Sequence, residues 1–151
     1  MARDDSGGPR VVVGVDGSVE SVEALRWAAD YAAATGATVD AVMAWHAPTA
    51  VGVVPPRITP QMITDEVRTN MLEELDKSLV AVFGPATPPS VQAQVTYGHP
   101  AEVLIEESRH ADLLVVGYRG HGAFAGMLTG SVSMHCVNNA HCSVVVVRRA
   151  S

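Results

Sequence analysis

The stretch "GYRGHGAFAGMLTGSVS", Gly117–Ser133, directly follows the short apolar run "DLLVV". It holds five glycines, one arginine and two serines. Glycine lets a backbone turn freely and lets a ligand approach closely. Gly130 precedes Ser131, where helical patterning resumes, and a helix start offers unpaired N–H groups and partial positive charge. That combination suits a phosphate. Arg119 adds a fixed charge and a donor fork, and Ser131 and Ser133 can add hydroxyl donors. Hydrogen bonds to charged groups contribute about 1.5–3 kcal/mol each. Three or four of them, with a buried base, reach the roughly −8 kcal/mol of micromolar binding after ordering costs.

Two common phosphate motifs are excluded. A P-loop needs a lysine after its second glycine, and this stretch has none. A dinucleotide fingerprint needs G-x-G-x-x-G after the first strand. The only G-x-G is Gly120/Gly122, and the next glycine, Gly126, lies one position too far. The pairs His135–Cys136 and His141–Cys142 lack the C-x2-4-C type spacing of zinc sites. His121 reads as a loop histidine, and Phe124 and Met127 as loop packing groups.

The elements that must hold this stretch are legible. "VVVGV" (Val11–Val15) predicts a strand buried on both faces. Ser18 can cap a helix whose first turn carries Glu20 and Glu23. Val22, Leu25, Ala29 and Ala32 mark its inner side, and Gly36 stops it. "TVDAVMAW" (Thr38–Trp45) predicts strand 2. A proline-rich connection, His46 to Pro60, leads to a helix from about Gln61 to Phe83, with Met71, Leu72, Leu75, Leu79 and Val82 on its buried face. Connections of that length are often functional. "VQAQVTY" (Val91–Tyr97) alternates, as a strand near a sheet edge does. Pro100 opens a third helix with Leu104 and Ile105 inward. Asp112–Val116 is strand 4, Ser131–Asn139 a fourth helix, and "CSVVVVRR" strand 5.

Strands alternating with helices imply an α/β fold: a single-domain open parallel sheet with helices on both faces. Ligands of such sheets bind beyond the carboxyl ends of the strands, where the strand order reverses. Here the loops at that point are "VDGS" after strand 1 and the glycine stretch after strand 4.

Composition narrows the partners. With 151 residues, one domain is expected, a tail at 1–9 and a folded unit at 10–150. Hydrophobic residues make up 48% and charged ones 17%, an ordinary globular balance. No apolar run approaches the roughly 18 residues of a membrane span, and "MARDDSGGPR" lacks a signal-peptide core. A cytoplasmic protein without membrane partners is the expectation, with Cys136 and Cys142 reduced. The net charge is −6, and Lys77 is the one lysine. No basic stripe is visible, so nucleic acid is not expected as a partner.

The chain resembles the universal stress protein family from about Val11 to Arg148. The family's adenine-nucleotide motif G-x2-G-x9-G-[S/T] is complete in Gly117, Gly120, Gly130 and Ser131. "VVVGVDGS", "GHPAEVL" and "HCSVVVV" agree with it, whereas Ser143 replaces a proline common after the last cysteine. The resemblance implies the strand order 3-2-1-4-5 of the adenine nucleotide alpha hydrolase-like folds, and the family's ATP-binding subgroup. It implies ATP as ligand, with Mg2+ carried by the phosphates rather than by protein. Asp16 matches the family's strand-1 Asp at base and ribose, with Gly14 and Val15 beside it. Backbone near Ala44 matches the position that reads the adenine edge. Val116, Gly117, Arg119, Gly120, Gly130, Ser131, Val132 and Ser133 match the phosphate side. A carboxylate beside phosphates would repel them, which also places Asp16 at the base end. Asp16 before Gly17 also suits a plain turn, Ser131 a plain N-cap, and Arg119 a solvated loop charge.

Three functional classes follow. The first is a nucleotide-dependent regulatory or stress-response module. The second is a slow ATP hydrolase, disfavoured because no general base is aimed at the phosphates. The third is a module for another adenine nucleotide such as cyclic AMP. An enzyme is not expected. A bare "VVVV" edge is an aggregation hazard unless covered. Together with the resemblance, this predicts a homodimer centred on Val144–Val147.

Overall fold

The structure, a computed structural model, describes residues 8–45, 60–118 and 131–149. Arg119, Gly120, Gly130 and the connection at 46–59 therefore lie outside the described residues. Five parallel strands form one sheet in the order β3-β2-β1-β4-β5: β1 Arg10–Gly14, β2 Thr38–Trp45, β3 Val91–Tyr97, β4 Leu113–Gly117 and β5 Ser143–Val147. This is the expected order. The central strand has neighbours on both sides, with Val11 paired to Val39 and to Leu113. It is also covered on both faces, so Val11, Val12 and Val13 are fully buried. That is why its sequence shows no alternation.

The period of two divides the sheet into two cores. Val11, Val13, Val39, Ala41, Met43 and Val115 face helices α1 (Val19–Thr35) and α2 (Pro60–Phe83). Val12, Val42, Leu114 and Val116 face α3 (Pro100–Ser108) and α4 (Ser131–Asn139). The alternating β3 is an edge strand, as its pattern predicts, and β5 is the other edge.

Helix α1 is framed by its caps. The Ser18 hydroxyl oxygen accepts from Ser21 N–H at 3.1 Å, and the Gly36 N–H donates to the Ala32 carbonyl at 2.8 Å. Its buried face runs through Ser21, Ala24, Leu25 and Ala28, with Ala32 packed alongside. This is rotated from the expected stripe, and Val22 and Ala29 are only half-buried. The small Ala24 and Ala28 let the helix lie close to the sheet, and Ser21 tolerates burial because its hydroxyl donates to the Ser18 carbonyl at 3.0 Å. Among the described side chains of α2, Leu75, Ser78 and Leu79 are buried, while Leu72 is 42% exposed. Pro60 opens that helix, where its missing N–H costs nothing.

Both cysteines are free. Cys136 is fully buried in the α3–α4 core, and burial pushes its thiol up to about 11. At the amino end of the sheet, Arg10 bridges Asp40 (2.5 Å) and Glu107 (3.1 Å), tying β1, β2 and α3 together. That network sits opposite the end described next.

Candidate functional site

The described residues of the expected site lie at the carboxyl ends of β1, β2 and β4, which are neighbours in the sheet, and at the start of α4. Gly14 ends β1. A Cβ on it would stand 2.7 Å from Leu104 Cδ1 and 3.6 Å from Val116 Cγ1, so α3 packs directly onto this backbone. Val15 is buried, and its N–H donates to the Val42 carbonyl at 2.9 Å, one rung beyond the β1 ladder.

Asp16 is exposed at the rim, yet it is held. Its Oδ1 accepts from the Ser18 N–H at 2.9 Å and from the Ser18 hydroxyl at 2.5 Å, while its own N–H donates to the Ser21 hydroxyl at 3.3 Å. Both roles weighed for it, turn residue and ligand group, are compatible with this geometry, because the α1 start fixes the direction of the carboxylate. Ser18, expected only as a helix cap, thus also orients Asp16. The Asp-Gly-Ser sequence is the signal for such a local bond.

Ala44 is half-buried in the penultimate position of β2, paired with Thr96. Beyond it, Trp45 and Tyr97 meet edge to face at 4.9 Å, and the Gly98 N–H donates to the Trp45 carbonyl at 2.6 Å.

On the other side of β1, Val116 is buried and Gly117 ends β4. A Cβ on Gly117 would lie 2.8 Å from the Glu20 carbonyl oxygen and 2.9 Å from its carbon. The α1 first turn therefore rests against the backbone of the first glycine of the motif. That close approach links Gly117, through the first turn of α1, to Ser18 and the Asp16 carboxylate that Ser18 holds.

Helix α4 begins at Ser131, at the last position of the motif. Val132 packs into the α3–α4 core. Ser133 is 5% exposed, and its hydroxyl donates to the Tyr118 carbonyl at 3.3 Å. Ser133 therefore braces α4 against the end of β4, a task its position in the motif did not reveal. The α1 and α3 first turns carry Glu20 and Glu102, whereas the α2 and α4 first turns carry no acid. An acid near a helix start offsets the positive end of its dipole. Of the two starts without one, α4 is the one that follows the glycine motif. Among the described residues no group of three or more His, Cys, Asp or Glu side chains could hold a metal ion. No described helix is long and apolar enough to cross a membrane.

The sequence model of the universal stress protein family matches residues 9–148. A universal stress protein of Mycolicibacterium smegmatis is 37% identical over 138 residues, covering 91% of this chain and 45% of that relative. The chain thus spans just under half the length of this relative. Among solved structures, a universal stress protein from Lactobacillus plantarum superposes with a TM-score of 0.73 at 20% identity, over 95% of this chain and 100% of the other. A universal stress protein solved in complex with cAMP superposes with a TM-score of 0.64 at 27% identity, covering 95% and 98% of the two chains.

Proposed function

The chain belongs to the universal stress protein family, and from that premise we propose that it is an ATP-binding member, a regulatory module whose nucleotide state alters its contacts. One observation carries this reading. The G-x2-G-x9-G-S motif begins where Gly117 closes on the α1 first turn, and it ends where α4 presents an N-terminus without a first-turn acid. Adenine lies toward Ala44 and the β2 end, ribose toward Asp16, and phosphates on the backbone N–H groups of Ser131–Ser133. A helix start is suited to that role. Mg2+ would ride on the phosphates. Arg119, Gly120 and Gly130 complete the cradle by their place in the motif. On this reading the module binds ATP and hydrolyses it slowly at most, because the Asp16 carboxylate is held by Ser18 and is placed with the base and ribose, away from the phosphates.

The experiment is to denature the purified protein and identify the released small molecules by mass spectrometry. ATP or ADP near one per chain is expected, with a Gly117→Ala, Gly130→Ala double variant emptied. Turnover above about 1 s⁻¹, the low end for ordinary enzymes, would sink the binding-module reading. One specific observation favours a second reading: the 27% identical protein solved with cAMP shares this fold. Cyclic AMP in the released fraction, or cyclic AMP displacing ATP at equal concentration, would select it.

A homodimer belongs to the same proposal. Edge strand β5 keeps Val144, Val145, Val146 and Val147 half-exposed, and pairing with a second copy would satisfy its free backbone groups. Light scattering should give twice the chain mass; a monomer at micromolar concentration would refute this part.

A further inference from the structure

Tyr118 stands where the backbone leaves the sheet, directly after Gly117, and it is held from three directions. Its N–H donates to the Val147 carbonyl at 2.8 Å, extending the β4–β5 ladder by one rung. Its carbonyl accepts from the Ser133 hydroxyl on α4 at 3.3 Å. Its ring lies under the Arg148 guanidinium, whose Cζ is 4.4 Å from the ring centroid. The last β4 residue, the first turn of α4 and the end of β5 are thereby joined through one residue.

Arg148 is exposed, and among the described residues no carboxylate forms an ion pair with it. It borders a depression of about 270 Å³, lined also by Tyr118, Ser133, Met134, Val137 and Val146. A cation over an aromatic face is attracted by the ring quadrupole.

We propose that Arg148 is a positioning residue for the phosphate end of the nucleotide, acting through Tyr118. The inference rests on the nucleotide reading above. The arginine holds the Tyr118 ring, the Tyr118 backbone holds Gly117 and α4 in register, and the phosphate-binding N–H groups are thereby set in advance of the ligand. Pre-organised donors bind more tightly because less ordering remains to be done. The base end, at Ala44 and Asp16, lies further along this chain of contacts, beyond Gly117 and the first turn of α1. The effect should therefore be larger on phosphates than on the nucleoside.

Titration calorimetry with MgATP, and with adenosine by competition, tests this on the intact protein. Arg148→Met and Tyr118→Ala should each weaken MgATP about three- to fivefold, the worth of one exposed cation–π contact. Adenosine affinity should fall by less than MgATP affinity, and Tyr118→Phe, which keeps the ring, should stay within about twofold of wild type. Should Tyr118→Ala fail to fold, Arg148→Met, at an exposed strand end, decides the matter. Unchanged MgATP affinity in Arg148→Met overturns this inference alone, as does an equal loss for MgATP and adenosine. A wild-type protein that binds neither ligand overturns the nucleotide reading itself, and this inference with it.

Discussion

Gly117→Ala should lower ATP affinity at least tenfold and reduce the unfolding free energy by about 2–3 kcal/mol, a typical overpacking cost. The new methyl would stand 2.8 Å from the Glu20 carbonyl oxygen, 2.9 Å from the carbonyl carbon and 3.1 Å from Glu20 Cβ. Two of these three atoms are backbone of a capped helix turn, so no side-chain rotation can clear them. The α1 start must move, and with it Ser18 and the Asp16 carboxylate that Ser18 holds. One methyl thus disturbs the proposed phosphate end directly and the proposed base end through α1. Gly14→Ala is the comparison. Its methyl meets the Leu104 side chain at 2.7 Å, which has rotamers to give, so a smaller loss of about 1 kcal/mol is expected. Urea denaturation and ATP titration of both variants measure this. A Gly117→Ala protein with wild-type stability and wild-type affinity would show that the α1–β4 approach is not part of the site.

The second large effect is expected at Leu25→Ala, a loss of about 3–4 kcal/mol. Leu25 is fully buried in the core between the sheet and helices α1 and α2. Its removal deletes transfer energy and leaves a cavity that a parallel sheet cannot close. Leu72→Ala should change stability by less than about 0.5 kcal/mol, because Leu72 is 42% exposed. The pair separates two residues that look alike in the sequence. Denaturant midpoints with unchanged m-values would establish the difference. Equal losses at the two positions would mean that α2 packs with a different face inward.

Where sequence reading succeeded and failed has the same cause. Periodicity reports which residues are apolar, and that is enough to find elements. It places β2 and β3 at the bounds observed, α4 likewise, and β1, β4, α1 and α2 within a residue, whereas β5 stops at Val147, two residues short of the run "CSVVVVRR". Rotation of a helix about its own axis is set by what it packs against. α2 offers Met71, Leu72, Leu75, Leu79 and Val82 as one stripe, yet the sheet takes Leu75 and Leu79 fully and leaves Leu72 to solvent. α1 likewise turns to place Ala24 and Ala28 inward, because small side chains let its backbone approach β1 and β4.

By itself the sequence determined the element order, the α/β class, the placement of the glycine motif after strand 4, and the family to which the chain belongs. Each of these is written in local pattern: runs of β-branched residues, caps and breakers, and fixed spacing between glycines. Only the tertiary structure decided that Gly117 touches the first turn of α1, that Ser133 braces Tyr118, and that Arg148 lies over the Tyr118 ring. Glu20 is distant from Gly117, and Arg148 from Tyr118, along the chain. Such contacts arise because parallel strands bring the ends of β1, β4 and β5 side by side, and local pattern carries no record of what a crossover places next to what.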